Sequence, residues 1–211
     1  MNRVHRLALI AIATLTAMPV QAQLYAGATG GEARTKLNGE SLTAQFLDFG
    51  YSDAQTRNDK RAAAFRVFGG YQLNRYVGVE AGYADLGTFR LRTEVVPQGS
   101  LDRRIDTTGF DVSLIGTLPV TNKFSVFARA GAFMGERSTT FSASGSVELL
   151  TGIQGTKERK SNAIYGAGVF FELTPKIALR AEIAQTEKYS DSLLSQNPRI
   201  DMYSIGLQYR F

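Results

Sequence analysis

Apolar and polar residues alternate along much of the chain with a period of two. Counting from the C-terminus, Tyr203, Ile205, Leu207, Tyr209 and Phe211 take every other position, with Met202, Ser204, Gly206, Gln208 and Arg210 between them. This is the pattern of a strand with one wholly apolar face. Ile177, Leu179, Ala181 and Ile183 alternate in the same way with Ala178, Arg180, Glu182 and Ala184. Val77, Val79, Ala81 and Tyr83 do so with Gly78, Glu80 and Gly82, and Phe110, Val112, Leu114 and Leu118 with Gly109, Asp111, Ser113 and Thr117. Reading every such run predicts eight strands, over 24–34, 63–73, 76–87, 106–118, 124–137, 160–173, 177–187 and 200–211. Most reach the roughly 9–11 residues with which a tilted strand crosses a bilayer. Asn74-Arg75, Pro119 to Lys123 and Thr174-Pro175-Lys176 are short connections rich in turn formers. The other four, 35–62, 88–105, 138–159 and 188–199, are long and polar, and long and short alternate strictly. The expected fold is therefore all-β: an eight-stranded antiparallel up-and-down transmembrane β-barrel with short periplasmic turns and long extracellular loops.

A soluble barrel of the same strand number would turn its apolar face inward and show water a surface crowded with Lys and Glu. Here the less apolar face is mostly Gly, Ser, Thr and Ala. Its charges are few and of both signs: Arg66, Glu80, Asp111, Arg129, Glu172, Arg180, Glu182 and Arg210. Such a mixture suits a narrow lumen, in which each charge needs an opposite partner. Tyr76, Tyr83, Tyr203, Tyr209 and Phe211 lie near strand ends, as a membrane's aromatic girdle requires.

The segment before the first strand reads as an export signal. Arg3, His5 and Arg6 make a basic start, Leu7 to Ala13 a short apolar run, and Val20-Gln21-Ala22 a small-residue cleavage pattern. The expected domains are thus a cleaved signal peptide, 1–22, and an outer-membrane barrel, 23–211, located in the bacterial outer membrane. Removing Arg3 and Arg6 lowers the formal charge from +5 to +3 and takes away His5, the one histidine in a sequence without cysteine. The remaining chain lacks imidazole and thiol chemistry, and no nucleophile-elbow, P-loop or zincin motif appears. The expectation is no enzyme, no metal and no cofactor; the barrel-borne deacylases and omptin proteases use a histidine in catalysis. The mean hydropathy of −0.12 would by itself suggest a soluble protein, because alternation averages the two faces of each strand.

The stretch Phe68-Gly69-Gly70-Tyr71-Gln72-Leu73-Asn74, then Tyr76-Val77-Gly78-Val79-Glu80 and Gly82-Tyr83 to Leu86-Gly87, resembles the second and third strands of the N-terminal membrane domain of the OmpA family. Similar too are Arg129 with Gly131, Gly168-Val169 to Leu173-Thr174-Pro175, Arg180 with Glu182, and the ending Ser204-Ile205-Gly206-Leu207 to Tyr209-Arg210-Phe211. The resemblance implies an ion pair closing the pore, carried by Glu80 and Arg180. It also implies an assembly signal at the aromatic C-terminus, Tyr209 and Phe211, read by the outer-membrane insertion machinery. Two family lumen charges, a lysine and an acid, correspond here to Ile115 and Phe170, which removes the alternative partners of the pair. The chain stops at Phe211, so the peptidoglycan-binding domain that follows the barrel in full-length members is not expected.

The first long loop carries charges of both signs, and the second is basic through Arg90, Arg92, Arg103 and Arg104. Arginine forks suit phosphate groups of outer-leaflet lipopolysaccharide. The expected partners are therefore outer-membrane lipid and lipopolysaccharide, with the insertion machinery during assembly, and no nucleic acid; the oligomeric state is left open. The expected function is a structural, surface-exposed barrel with at most a small gated ion pore, a small-solute channel or a loop-mediated adhesin being the alternatives. Glu80 and Arg180 are expected to meet across the lumen, and exchanging their charges should restore in part what either single replacement loses.

Overall fold

The computed structural model describes residues 23–35, 53–58, 61–96, 99–145, 155–187 and 199–211. The signal segment 1–22 and its cleavage site lie outside them. The strands are β1 (Gln23–Thr35), β2 (Asp53–Asn58), β3 (Arg61–Gln72), β4 (Val77–Val96), β5 (Gly99–Pro119), β6 (Phe124–Gly145), β7 (Gly155–Glu172), β8 (Ile177–Thr186) and β9 (Ile200–Arg210). Every neighbouring pair is antiparallel, in the order β4-β3-β1-β9-β8-β7-β6-β5, and β5 returns to β4. Eight strands thus form a closed ring. First and last strands pair from Tyr25↔Arg210 to Thr35↔Ile200, and the Phe211 amide donates to the Leu24 carbonyl at 3.0 Å. Closure satisfies every backbone ladder internally, which is the condition for crossing hydrocarbon with strands.

The alternation decides which face is which. Phe110 is 62 % exposed, Leu114 61 % and Ile205 57 %, while Arg180 is 0 % and Glu80 1 % exposed. The apolar stripe therefore faces outward and the charges inward, the reverse of a soluble barrel. Tyr209 and Phe211 meet edge to face at 5.1 Å on the outside of the turn end, and Tyr83 and Phe110 do the same at the loop end. At the three short turns a side chain fixes the bend. The Asn74 Oδ1 accepts from the amides of Tyr76 and Val77 at 2.8 and 2.9 Å. The hydroxyls of Thr121 and Thr174 accept from the Phe124 and Ile177 amides, each at 3.0 Å.

The long connections need correction. β4 and β5 run on as a ladder to Val95↔Gly99, so the expected loop 88–105 is mostly strand. β6 and β7 likewise extend into 138–159, still paired at Thr140↔Gly155. Within 35–62 lies a further strand: β2 pairs with the upper part of β4, from Asp53↔Val96 to Asn58↔Leu91, on the edge that β3 holds lower down, so it continues that wall upward. Above the membrane both faces of a strand can be polar, so the apolar alternation that betrays a strand disappears while the ladder continues. Segments 36–52, 146–154 and 188–198 lie outside the described residues.

A bulge interrupts β4. Pairing jumps from Asp85↔Thr108 to Thr88↔Asp106, inserting one residue at Leu86-Gly87. Gly87 has φ of 75°, and its amide donates to Asp85 Oδ1 at 2.8 Å. One extra residue turns every later side chain to the opposite face. Before the bulge even-numbered residues of β4 point inward; after it Phe89, Leu91 and Thr93 are buried, and Arg90 and Arg92 are exposed.

Candidate functional site

Six inward charges on β3, β4, β5, β6 and β8 meet in the middle of the lumen. Arg66 donates to both oxygens of Asp111 at 2.7 and 2.8 Å. Asp111 also accepts from Arg129 at 3.0 Å, and Arg129 reaches Glu182 through its Nε. Glu182 accepts from Arg180 at 2.7 Å, and Arg180 donates to Glu80 at 2.7 Å. An ion pair of 2.8 Å between Glu80 and Arg66 closes the circuit. The result is a ring of alternating sign, Arg66, Asp111, Arg129, Glu182, Arg180 and Glu80, with no net charge. All six side chains are buried, so each charge depends on its two neighbours rather than on water.

Glu80 and Arg180 do meet, but they are not an isolated pair. Exchanging their charges would set two cations together at the contact between positions 66 and 80, and two anions at the contact between 180 and 182, which works against the expected partial recovery. Glu172 and Arg210 do not join the ring. They form a forked pair of their own at 2.6 and 2.8 Å, nearer the periplasmic mouth.

Aromatic side chains complete the ring's surroundings, and the alternation alone gave no sign of them. The Arg180 guanidinium lies 4.5 Å from the Phe68 ring centre and 4.6 Å from that of Phe127, a geometry favourable to a desolvated cation. The Tyr25 hydroxyl donates to Glu80 at 3.2 Å. Its ring covers Gly70, where an added Cβ would come within 2.1 Å of it. Ile115 and Phe170, standing where the family's alternative lumen charges would be, join Phe127 and Ala178 in an apolar layer on the periplasmic side. Phe127 and Phe170 stack with centres 4.4 Å apart.

On the extracellular side a second apolar layer fills the lumen, including Leu86, Phe89, Leu91, Ile105, Phe133, Ile164 and Met202. The expectation of a lumen of small polar residues with scattered charges is corrected on this point. Phe89 and Leu91 reach the layer only because of the bulge at Gly87. Between this layer and the ring remains a void of about 10 Å³, the space of roughly one water molecule. On the periplasmic side a bowl of about 1020 Å³, lined by Gln23, Gln72, Lys123 and Gln208 among others, reaches inward as far as Tyr25 and Phe170. Arg103, expected in the basic loop, is instead buried inside the upper barrel, 5.5 Å from the Phe141 ring. Among the described residues no group of three or more His, Cys, Asp or Glu could hold a metal ion.

The profile of the family described as OmpA-like transmembrane domain matches residues 19–211. Outer membrane protein A of Salmonella typhi is 27 % identical across 93 % of this chain, and that of Klebsiella pneumoniae 27 % across 95 %. The chain spans about half the length of these relatives, 55 % and 54 %. Among solved structures, Neisserial surface protein A aligns with a TM-score of 0.57 at 14 % identity, over 90 % of this chain and 99 % of that one. Ail, the attachment invasion locus protein of Yersinia pestis, aligns with a TM-score of 0.51 at 20 % identity, over 92 % and 100 %. At such identities the structures speak for the fold alone. The profile match over nearly the whole chain, on a closed ring with an outward apolar belt, settles its kinship: the chain belongs to the OmpA-like transmembrane domain family of outer-membrane β-barrels.

Proposed function

We propose that this protein is a structural, surface-exposed barrel of the bacterial outer membrane whose lumen is closed to ions. The carrying observation is the stacking of three barriers in one narrow bore: a periplasmic apolar layer, a neutral ring of six charges and an extracellular apolar layer. A channel needs a continuous file of water or of replaceable polar groups. Here the bowl ends at Tyr25 and Phe170, and the void above the ring has room for a single water. The second reading, a small-solute channel, would require both apolar layers to part. No imidazole or thiol lies in residues 23–211 to serve an enzymatic role.

The test combines location with conductance. Fractionated cells should hold the protein in the outer membrane as a species whose gel mobility shifts on heating, and the purified form should leave planar bilayers at baseline current. Reproducible unitary conductance from heat-modifiable protein would overturn the closed reading. Recovery in a soluble fraction would overturn the location.

A further inference from the structure

Above the apolar belt the outer wall formed by β4 to β7 becomes charged, and its paired rows can be followed upward. The first row holds Asp85, Thr108, Glu136 and Arg159, the second Thr88, Asp106, Ser138 and Lys157. The acids in these rows are hydrogen-bonded, and among the described residues only Glu136 is paired with cations. Glu136 accepts from Arg159 at 2.8 Å. Asp106 accepts from the Thr88 hydroxyl.

The third row is different. Arg90 stands directly across from Arg104, and the next residue in the row is Thr140. Both arginines point outward and are exposed. Like charges directly opposite on one sheet face are destabilising, and no ion pair to either is found among the described residues. In the row above, Arg92 faces Asp102 and pairs with Glu94 at 3.3 Å; the register of β2 sets Arg57 across from it. The bulge at Gly87 creates this arrangement. Without its extra residue Arg90 and Arg92 would point into the lumen, and Phe89 and Leu91 into the membrane surface.

We infer that the Arg90–Arg104 row is a binding site for phosphate groups on the sugar headgroup of outer-leaflet lipopolysaccharide. Two guanidinium forks side by side can share one phosphate through parallel hydrogen bonds, which relieves their mutual repulsion. The wall below offers the matching acyl surface: Phe110, Val112 and Leu114 on β5, all more than half exposed. Arg104 lies about 20 Å along the strand from Phe110, or roughly 15 Å higher at the usual barrel tilt. That height is the level of phosphorylated core sugars rather than of acyl chains. The inference rests on the outer-membrane location but not on the closed lumen, and conductance plays no part in its test.

The experiment uses the refolded barrel, with lipopolysaccharide bearing a phosphorylated core and the same material after phosphatase treatment. The readout is the heating temperature at which gel mobility shifts. Wild type should gain several degrees from the phosphorylated form and little from the treated form. Arg90→Ser with Arg104→Ser should lose at least half of that gain, and Arg90→Lys with Arg104→Lys, which keeps charge without the fork, should fall between. If the serine variant does not assemble, wild type is titrated with salt, and the gain must shrink as the ions are screened. An undiminished gain in the variants, an equal response to phosphatase-treated lipopolysaccharide, or a gain indifferent to salt would each overturn the site. So would a response to a soluble sulfated polysaccharide without one to lipopolysaccharide, which would point to adhesion instead.

Discussion

Each member of the charge ring touches two opposite charges, and this governs how a single replacement is felt. Removing one partner of a buried pair costs about 3–5 kcal/mol because the survivor is left uncompensated. In the ring the survivors keep one neighbour each: without Glu80, Arg180 retains Glu182 and Arg66 retains Asp111. The loss should therefore fall at or below the lower end of that range. Direct contact and net charge are separable here, because Glu80 adjoins Arg180 but lies on the far side of the ring from Arg129. We predict that Glu80→Gln with Arg180→Met shows strong positive coupling, toward the upper part of the roughly 0.5–3 kcal/mol typical of neighbours. Glu80→Gln with Arg129→Met should show clearly less, although it restores neutrality equally well. Urea unfolding in lipid vesicles measures both cycles, and equal coupling would mean that only the summed lumen charge matters. Strand parity told from the sequence which charges face inward, since each sits between two outward apolar residues. Partner choice was not legible, because it depends on the stagger between strands and on how far each guanidinium reaches across the bore.

At the scale of the strand, the period-two pattern located every membrane crossing but missed how far the strands continue. Thr, Ser and Arg between 88 and 106 look like a loop when both faces are polar, yet they pair throughout as one hairpin. The phase change at Gly87 hid the upper apolar layer as well, for Phe89 and Leu91 keep the sequence parity of outward-facing Val79 and Ala81 yet point inward. Asp85 followed two residues later by glycine was the available signal, a side chain capping the left-handed residue of a bulge. At φ of 75°, and with an added Cβ only 2.3 Å from the Ala63 carbonyl oxygen, this position resists substitution. Gly87→Ala should lower stability by about 2 kcal/mol or more, combining left-handed strain with a backbone clash. The loss should appear in vesicle unfolding together with faster proteolysis between residues 88 and 105. If hairpin proteolysis and the unfolding midpoint both match wild type, the bulge does not hold the upper barrel in phase.

For the whole molecule, barriers stacked along one bore act in series, so the current through it is set by the tightest layer that survives. The family resemblance on its own points to one gate, an ion pair between Glu80 and Arg180, whose loss should open the pore. Replacing Glu80 by Ala removes one link of the ring and leaves space that a water can enter from the void beside Arg66 and Arg129. It leaves Phe133, Leu86 and Ile164 above and Phe127 and Phe170 below. A narrow apolar constriction stays dry because a water file inside it forfeits its hydrogen bonds, and it can gate by dewetting alone. We therefore expect Glu80→Ala to lower stability with bilayer current still near baseline. Leu86→Ser with Phe133→Ser should also remain near baseline, since the intact ring still holds its charges in place. Conductance should rise well above the sum of these effects when Glu80→Ala and both serine substitutions are combined with Phe170→Ser, which wets all three layers at once. Only protein whose gel mobility still shifts on heating should be recorded, so that a leaking, misfolded barrel is not mistaken for an open one. A large single-channel current from Glu80→Ala alone would show that the ion pair is the sole barrier and that the apolar layers yield to water once it is gone.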